Sequence, residues 1–172
     1  EWLEFDNISI KDADDKEYLI NGTFETAPLH WVADHAGAGE GAITSSAHED
    51  GMKISVTTLG GEPYQPHLWQ EFHINEAGNY TLKFVLNASV ARTLRTNLVI
   101  PLEDYRSLLE GSKYDIVITE EQVGQYVEYE VNFSVDGPIG NPVKFEFDFG
   151  PIAEGDDVGD FIFKQILIYK VY

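Results

Sequence analysis

The sequence predicts an all-β fold, a two-sheet antiparallel β-sandwich, on three observations. Aromatic and β-branched residues alternate with polar ones in several short runs. Gly, Pro, Asn and Asp bound those runs, as tight connections between strands require. Helical spacing is confined to one stretch, residues 102–109 (LEDYRSLL). Period-2 alternation places one face of a sheet in the core and leaves the other available for contact.

The elements follow in chain order. Residues 3–10 (LEFDNISI) resemble residues 161–168 (FIFKQILI), and a charged run, KDADDK, follows the first copy. The reading is that residues 1–15 are the tail strand of a preceding module plus a linker, and that residues 16–172 form one β-sandwich module. The alternative is that the two copies are edge strands of one sheet. Strands are expected over 52–58, 67–74, 80–86 and 93–100, a short helix or turn over 102–109, and strands over 126–135, 143–149 and 161–169. The two clearest are 126–135 and 143–149. In the first, Val127, Tyr129, Val131, Phe133 and Val135 share one side. In the second, Val143, Phe145, Phe147 and Phe149 oppose Lys144, Glu146 and Asp148.

Composition limits the function. With 172 residues, 43% of them hydrophobic, the chain is long enough to bury a core and too apolar to be disordered. Thirty acidic against 11 basic side chains give a net charge of -19. That argues against nucleic acid, whose phosphates are neutralised by Lys and Arg, and against an anionic membrane surface. The absence of cysteine removes disulfides, thiolate catalysis and Cys-based zinc sites. No run approaches the roughly 20 apolar residues of a membrane-spanning helix.

Signals for catalysis are weak. A glycosidase needs two carboxylates flanking a bond, but the Glu-x-Asp-x-x-Glu pattern of jelly-roll glucanases is absent, Glu146-Phe147-Asp148 being followed by Phe149, Gly150 and Pro151. No Gly-x-Ser-x-Gly, phosphate-binding loop or His-Glu-x-x-His occurs. The five histidines are scattered, only His30 and His35 standing near each other. Aromatic residues say more. Sugar rings present apolar C–H faces that stack on Trp and Tyr, while their hydroxyls bond amides, carboxylates and Arg. Tyr64 and Trp69 lie in the amide-rich stretch EPYQPHLWQ. If Leu68 and Phe72 point inward, His67, Trp69 and Glu71 share the outward face; the alternative is a core tryptophan at 69.

The segment YLINGTFE at 18–25, followed by His30-Trp31, resembles the opening of carbohydrate-binding modules of family 4 and their relatives in families 9, 16 and 22. Further parts occur in that family's order: DGMKI at 50–54, Pro63-Tyr64 before a strand carrying His67, AGNYTLKF at 77–84, RTLR at 92–95, and FKQI at 163–166 for the final strand. Phe5-Asp6-Asn7-Ile8 has the family's usual closing form, which fits a preceding tandem module.

The resemblance implies a jelly roll whose concave face binds a single glycan chain. By position it assigns Tyr64 as an aromatic platform, His67 as a polar sugar contact, Arg95 as a cleft arginine and Tyr105 as a second aromatic wall. Lys144 and Asp148 match amide positions that bond hydroxyls, with Glu146 between them, and Trp69 adds an outward stacking surface. Trp31 packs in the sandwich or lines the cleft mouth. The family's structural calcium would involve Thr23, Glu25 and Gly51; its final-strand acid is replaced by Lys164 or Gln165, and an ammonium cannot ligate a cation. No cofactor is otherwise required. The implied protein is a secreted, multimodular polysaccharidase. In it this non-catalytic module binds a polysaccharide, β-1,3- or β-1,4-glucan first and xylan or mannan next, beside a linked catalytic domain. The rival functions are a jelly-roll glycosidase or lyase using Glu146 and Asp148 with Arg95 or Lys144, and a structural spacer or adhesion module.

Overall fold

A computed structural model of the chain describes residues 31–34, 41–109 and 114–171. The tail strand and linker expected at 1–15, the opening motif at 18–25, and His30 and His35 lie outside the described residues. Eleven strands are described: β1 (Val32–Asp34), β2 (Ala42–His48), β3 (Gly51–Thr58), β4 (His67–Phe72), β5 (Gly78–Ala88), β6 (Arg92–Ile100), β7 (Arg106–Ser107), β8 (Tyr114–Ile118), β9 (Val127–Val135), β10 (Val143–Asp148) and β11 (Gly159–Val171). One sheet runs β1-β4-β10-β6-β7, with β8 also paired to β6, and the other runs β2-β3-β11-β5-β9. Every described pairing is antiparallel. The architecture is the expected two-sheet jelly-roll sandwich. No described helix is long and apolar enough to cross a membrane.

Alternation decides which side of each strand faces inward. On β10, Phe145 and Phe147 enter the core; on β5, Tyr80, Leu82, Phe84 and Leu86 do so; on β11, Phe161 and Phe163. The sheets meet through aromatic rings: Phe84 packs edge-on against Phe147 at 5.0 Å, and Phe147 lies 4.7 Å from Phe163. Such tilted contacts are favoured by the ring quadrupole and add to the burial of large apolar surface.

Two expectations left open are decided. Of the short helix or turn expected over residues 102–109, the structure shows the turn. A single 3-10 turn, Pro101–Glu103, ends at Asp104 and Tyr105, both with left-handed φ of 56° and 55°, and the chain then turns back as β7. Pairing of Ser107 with Val99 and Arg106 with Ile100 gives these backbone groups sheet partners, which outweighs a weak helical pattern. Trp31 does not line the groove. It is 6% exposed and packs edge-on against Phe145, ring centroids 6.0 Å apart. Burial of its large apolar surface places it beneath the sheet, the first of the two positions the resemblance allowed, and removes it from the residues assigned to sugar contact.

The loop before β4 is tied to the end of β10. Phe149 N–H donates to Pro66 O and Gly150 N–H to Pro63 O, both at 2.8 Å. A Cβ at Gly150 would stand 2.0 Å from Glu62 O, so only glycine permits this approach. The loop carrying Tyr64 is thereby seated at one edge of the β4–β10 pair.

Candidate functional site

On the β1-β4-β10-β6 sheet, strand register arranges the outward side chains in three rows. The first is Asp34, His67, Asp148, Arg95 and Asp115, contributed by β1, β4, β10, β6 and β8. The second is Val32, Trp69, Glu146 and Asn97, and the third Glu71, Lys144, Val99 and Ser107. Rows along a strand are about 6.7 Å apart and neighbouring strands about 4.8 Å. Three rows therefore cover a band roughly 13 Å wide across four or five strands. Tyr64 precedes the first row and Tyr105 lies beyond the third, with relative exposures of 45% and 64%. The two tyrosines flank opposite edges of the band.

His67, Lys144, Glu146 and Asp148 stand on this outward face yet are 4%, 8%, 7% and 3% exposed. Polar groups so covered must find partners, and most here do. His67 Nε2 lies 2.5 Å from Asp34 Oδ1, and the same carboxylate accepts from Trp69 Nε1 at 3.2 Å. Glu146 Oε2 meets Lys144 Nζ at 2.9 Å, and Glu146 Oε1 accepts from Asn97 Nδ2 at 3.3 Å. Ser107 Oγ donates to Asn97 Oδ1 at 3.1 Å. Arg95 engages both oxygens of Asp115, Nε at 2.8 Å and a terminal nitrogen at 3.4 Å. Burial pushes the Glu146 carboxyl up, but the neighbouring His67 ring and the Lys144 ammonium more than offset it and hold the group below the ordinary glutamate value.

Eight of the nine residues expected to contact sugar thus belong to one sheet face or its two edges, and Trp31 does not. Trp69 stands outward and half-buried, as expected from inward Leu68 and Phe72. Asp34, Asn97, Ser107 and Asp115 were not anticipated. Asn97 was legible, since it follows Arg95 by two positions on an alternating strand. Asp34 and Asp115 sit on short strands with too few residues to show a period.

For the expected calcium ligands, Thr23 and Glu25 lie outside the described residues. Gly51 is described: its φ of 143° and a Cβ position 2.2 Å from Phe163 O show that it allows β3 to pass close to β11. Lys164, at the position of the family's final-strand acid, turns its ammonium over the Tyr126 ring, 5.3 Å from the centroid.

No family model matches the sequence, and no curated protein does so either. Solved structures do match. A CBM4 module superposes with a TM-score of 0.70 at 12% identity, covering 88% of this chain and 98% of its own. The N-terminal cellulose-binding domain of Cellulomonas fimi β-1,4-glucanase C gives 0.61 at 16% identity over 91% and 99%. The CBM22-1–GH10 modules of Clostridium thermocellum xylanase 10B, complexed with xylohexaose, give 0.56 at 12% identity over 91% of this chain and 29% of that one. At such identities the likeness is one of fold. The chain has the fold of a CBM4-like carbohydrate-binding module.

Proposed function

We propose that this chain is a non-catalytic module that holds a single chain of a neutral polysaccharide across the β1-β4-β10-β6 face, and that it targets a linked, secreted glycoside hydrolase to its substrate. The observation that carries this reading is the outward Trp69, whose indole N–H is held by Asp34 beside rows of hydrogen-bonding side chains. That pairing supplies both things a sugar ring needs, an apolar surface for its C–H face and donors and acceptors for its hydroxyls. Carboxylates outnumber cations in the three rows, Asp34, Glu71, Asp115, Glu146 and Asp148 against Arg95 and Lys144. A polyanionic glycan would be repelled, so the ligand is neutral.

β-Glucan, β-1,3- or β-1,4-linked, is the first choice, with xylan and mannan next. A cellulose-binding domain of the same fold supports the first choice, and a two-module CBM22-1–GH10 chain complexed with xylohexaose keeps xylan among the candidates. A structural calcium at Thr23, Glu25 and Gly51 remains a secondary proposal. The Glu146 carboxyl, ion-paired and held ionised, is poorly suited to the general acid of a glycosidase, which needs a raised pKa. Calorimetric titration against laminarin, lichenan, barley glucan, xylan and mannan, with reducing-sugar release measured on the same panel, tests the reading. Saturable binding without sugar release is expected. Sugar release that disappears in Glu146→Gln would overturn it.

A further inference from the structure

Three acceptor groups converge on the outward side of β4 and β10. His67, Glu146 and Asp148 each offer one ligand atom, and these atoms all lie within 4.8 Å of one another. His67 Nε2 faces Asp34 Oδ1, a carboxylate oxygen that accepts, which assigns the ring proton to Nε2 and leaves a lone pair on Nδ1 in the neutral ring. Nδ1 is buried, has no hydrogen-bond partner, and stands 3.6 Å from Glu146 Oε2. In the neutral ring a lone pair would face a carboxylate oxygen in a covered site, which is unfavourable; a cation between them reverses the sign, whether the second ring proton through which His67 holds the Glu146 carboxyl down or a metal ion that takes its place.

The spacing suits one ion. Two ligands about 2.1 Å from a tetrahedral centre stand roughly 3.4 Å apart, close to the separation of Nδ1 and Oε2. A carboxylate behind the imidazole is also the arrangement that orients metal-bound histidines, and Asp34 occupies that position. We propose that His67 Nδ1, Glu146 Oε2 and an Asp148 oxygen bind a first-row divalent ion of the zinc class, with a remaining coordination position open to a glycan hydroxyl. Imidazole favours such ions, whereas calcium takes six to eight oxygens. Lys144, 2.9 Å from the same Glu146 oxygen, is the competing counter-charge. The ion site stands on the cluster alone; its contact with sugar rests on the function proposed above.

The test is equilibrium dialysis of the chelator-stripped 172-residue chain against Zn²⁺, with melting temperature read in parallel. One ion per chain is expected, with a raised melting temperature. His67→Gln and Glu146→Gln should each weaken zinc binding by roughly 100-fold, while His48→Gln and His73→Gln leave it unchanged. Lys144→Met should bind zinc roughly tenfold more tightly, since a repelling charge beside the ligand is gone, and misfolding cannot produce that result. Zinc binding that survives His67→Gln, or that is absent from both the wild type and Lys144→Met, overturns the site. Titration with laminarin or barley glucan, with zinc and with chelator, then tests the sugar contact. Higher affinity with zinc supports it, and equal affinity removes it. Failure to bind any glycan under either condition refutes the proposed function, while the dialysis still decides the ion site.

Discussion

The ammonium of Lys144 lies over the ring of Trp69, 4.9 Å from its centroid. On the other side, the indole N–H of Trp69 donates to Asp34 at 3.2 Å. An aromatic side chain restrained at both its face and its edge loses little further freedom on stacking against a sugar, which favours affinity through preorganisation. The two contacts come from strands on either side, β10 and β1, so the platform exists only once the sheet is assembled.

Trp69→Ala is expected to weaken glucan binding by about 2 kcal/mol or more, over tenfold in affinity, with little change in the denaturation midpoint. Trp31→Ala should do the reverse, costing roughly 3–5 kcal/mol of stability through the cavity left against Phe145. Chemical denaturation and calorimetric titration of both variants check this. A large loss of stability in Trp69→Ala with normal binding would place that ring in the core.

Tyr105 combines exposure with a left-handed backbone. Tyr105→Gly relieves the strain that a side chain meets at positive φ, and is expected to raise stability by up to about 1 kcal/mol. It also removes the outer aromatic edge of the band, so glucan affinity should fall. A variant that is more stable and binds as tightly as the wild type would remove Tyr105 from the binding face.

Gly150→Ala is expected to damage both stability and binding. Its Cβ would press on the carbonyls of Glu62, Gln65 and Pro63, the nearest at 2.0 Å. The loop that carries Tyr64 must then move off the end of β10. Urea denaturation should show a loss of more than about 1 kcal/mol, and glucan affinity should drop with it.

Asp156 gives a pH dependence. Its carboxylate accepts the backbone N–H groups of Thr93, Ile152 and Ala153, each at 2.8 Å, and lies 4.0 Å from the Arg92 guanidinium. Burial pushes its pKa up, but these donors, with the guanidinium adding to them, hold it below the ordinary aspartate value. The carboxylate therefore contributes stability that is fully present above the unfolded pKa of about 3.9 and is lost as pH falls through the lower folded value. Asp156→Asn should cost about 2 kcal/mol at neutral pH. The gap from the wild type should narrow below about pH 4, as denaturation at stepped pH would reveal.

The sandwich was legible because alternation is local. Residues 143–149 announce an apolar and a polar face by themselves, and 126–135 do the same, so fold class and the outward set of Lys144, Glu146 and Asp148 follow from period alone. Leu68 and Phe72 likewise implied that Trp69 faces outward. Trp31 lies just before a three-residue strand, where no alternation can be counted, and its burial depends on meeting Phe145 from a distant strand. The turn at 101–109 has the same cause: a local helical pattern lost to sheet pairing with β6. The partnerships of Asp34 with His67, Asn97 with Glu146 and Asp115 with Arg95 join residues 33, 49 and 20 positions apart. Sequence by itself determined which side chains the longer strands such as β4, β9 and β10 turn outward, because that depends on neighbours two residues away. Which of them meet was decided by strand order and register, since antiparallel pairing between distant segments sets the distances on which hydrogen bonds and ion pairs depend.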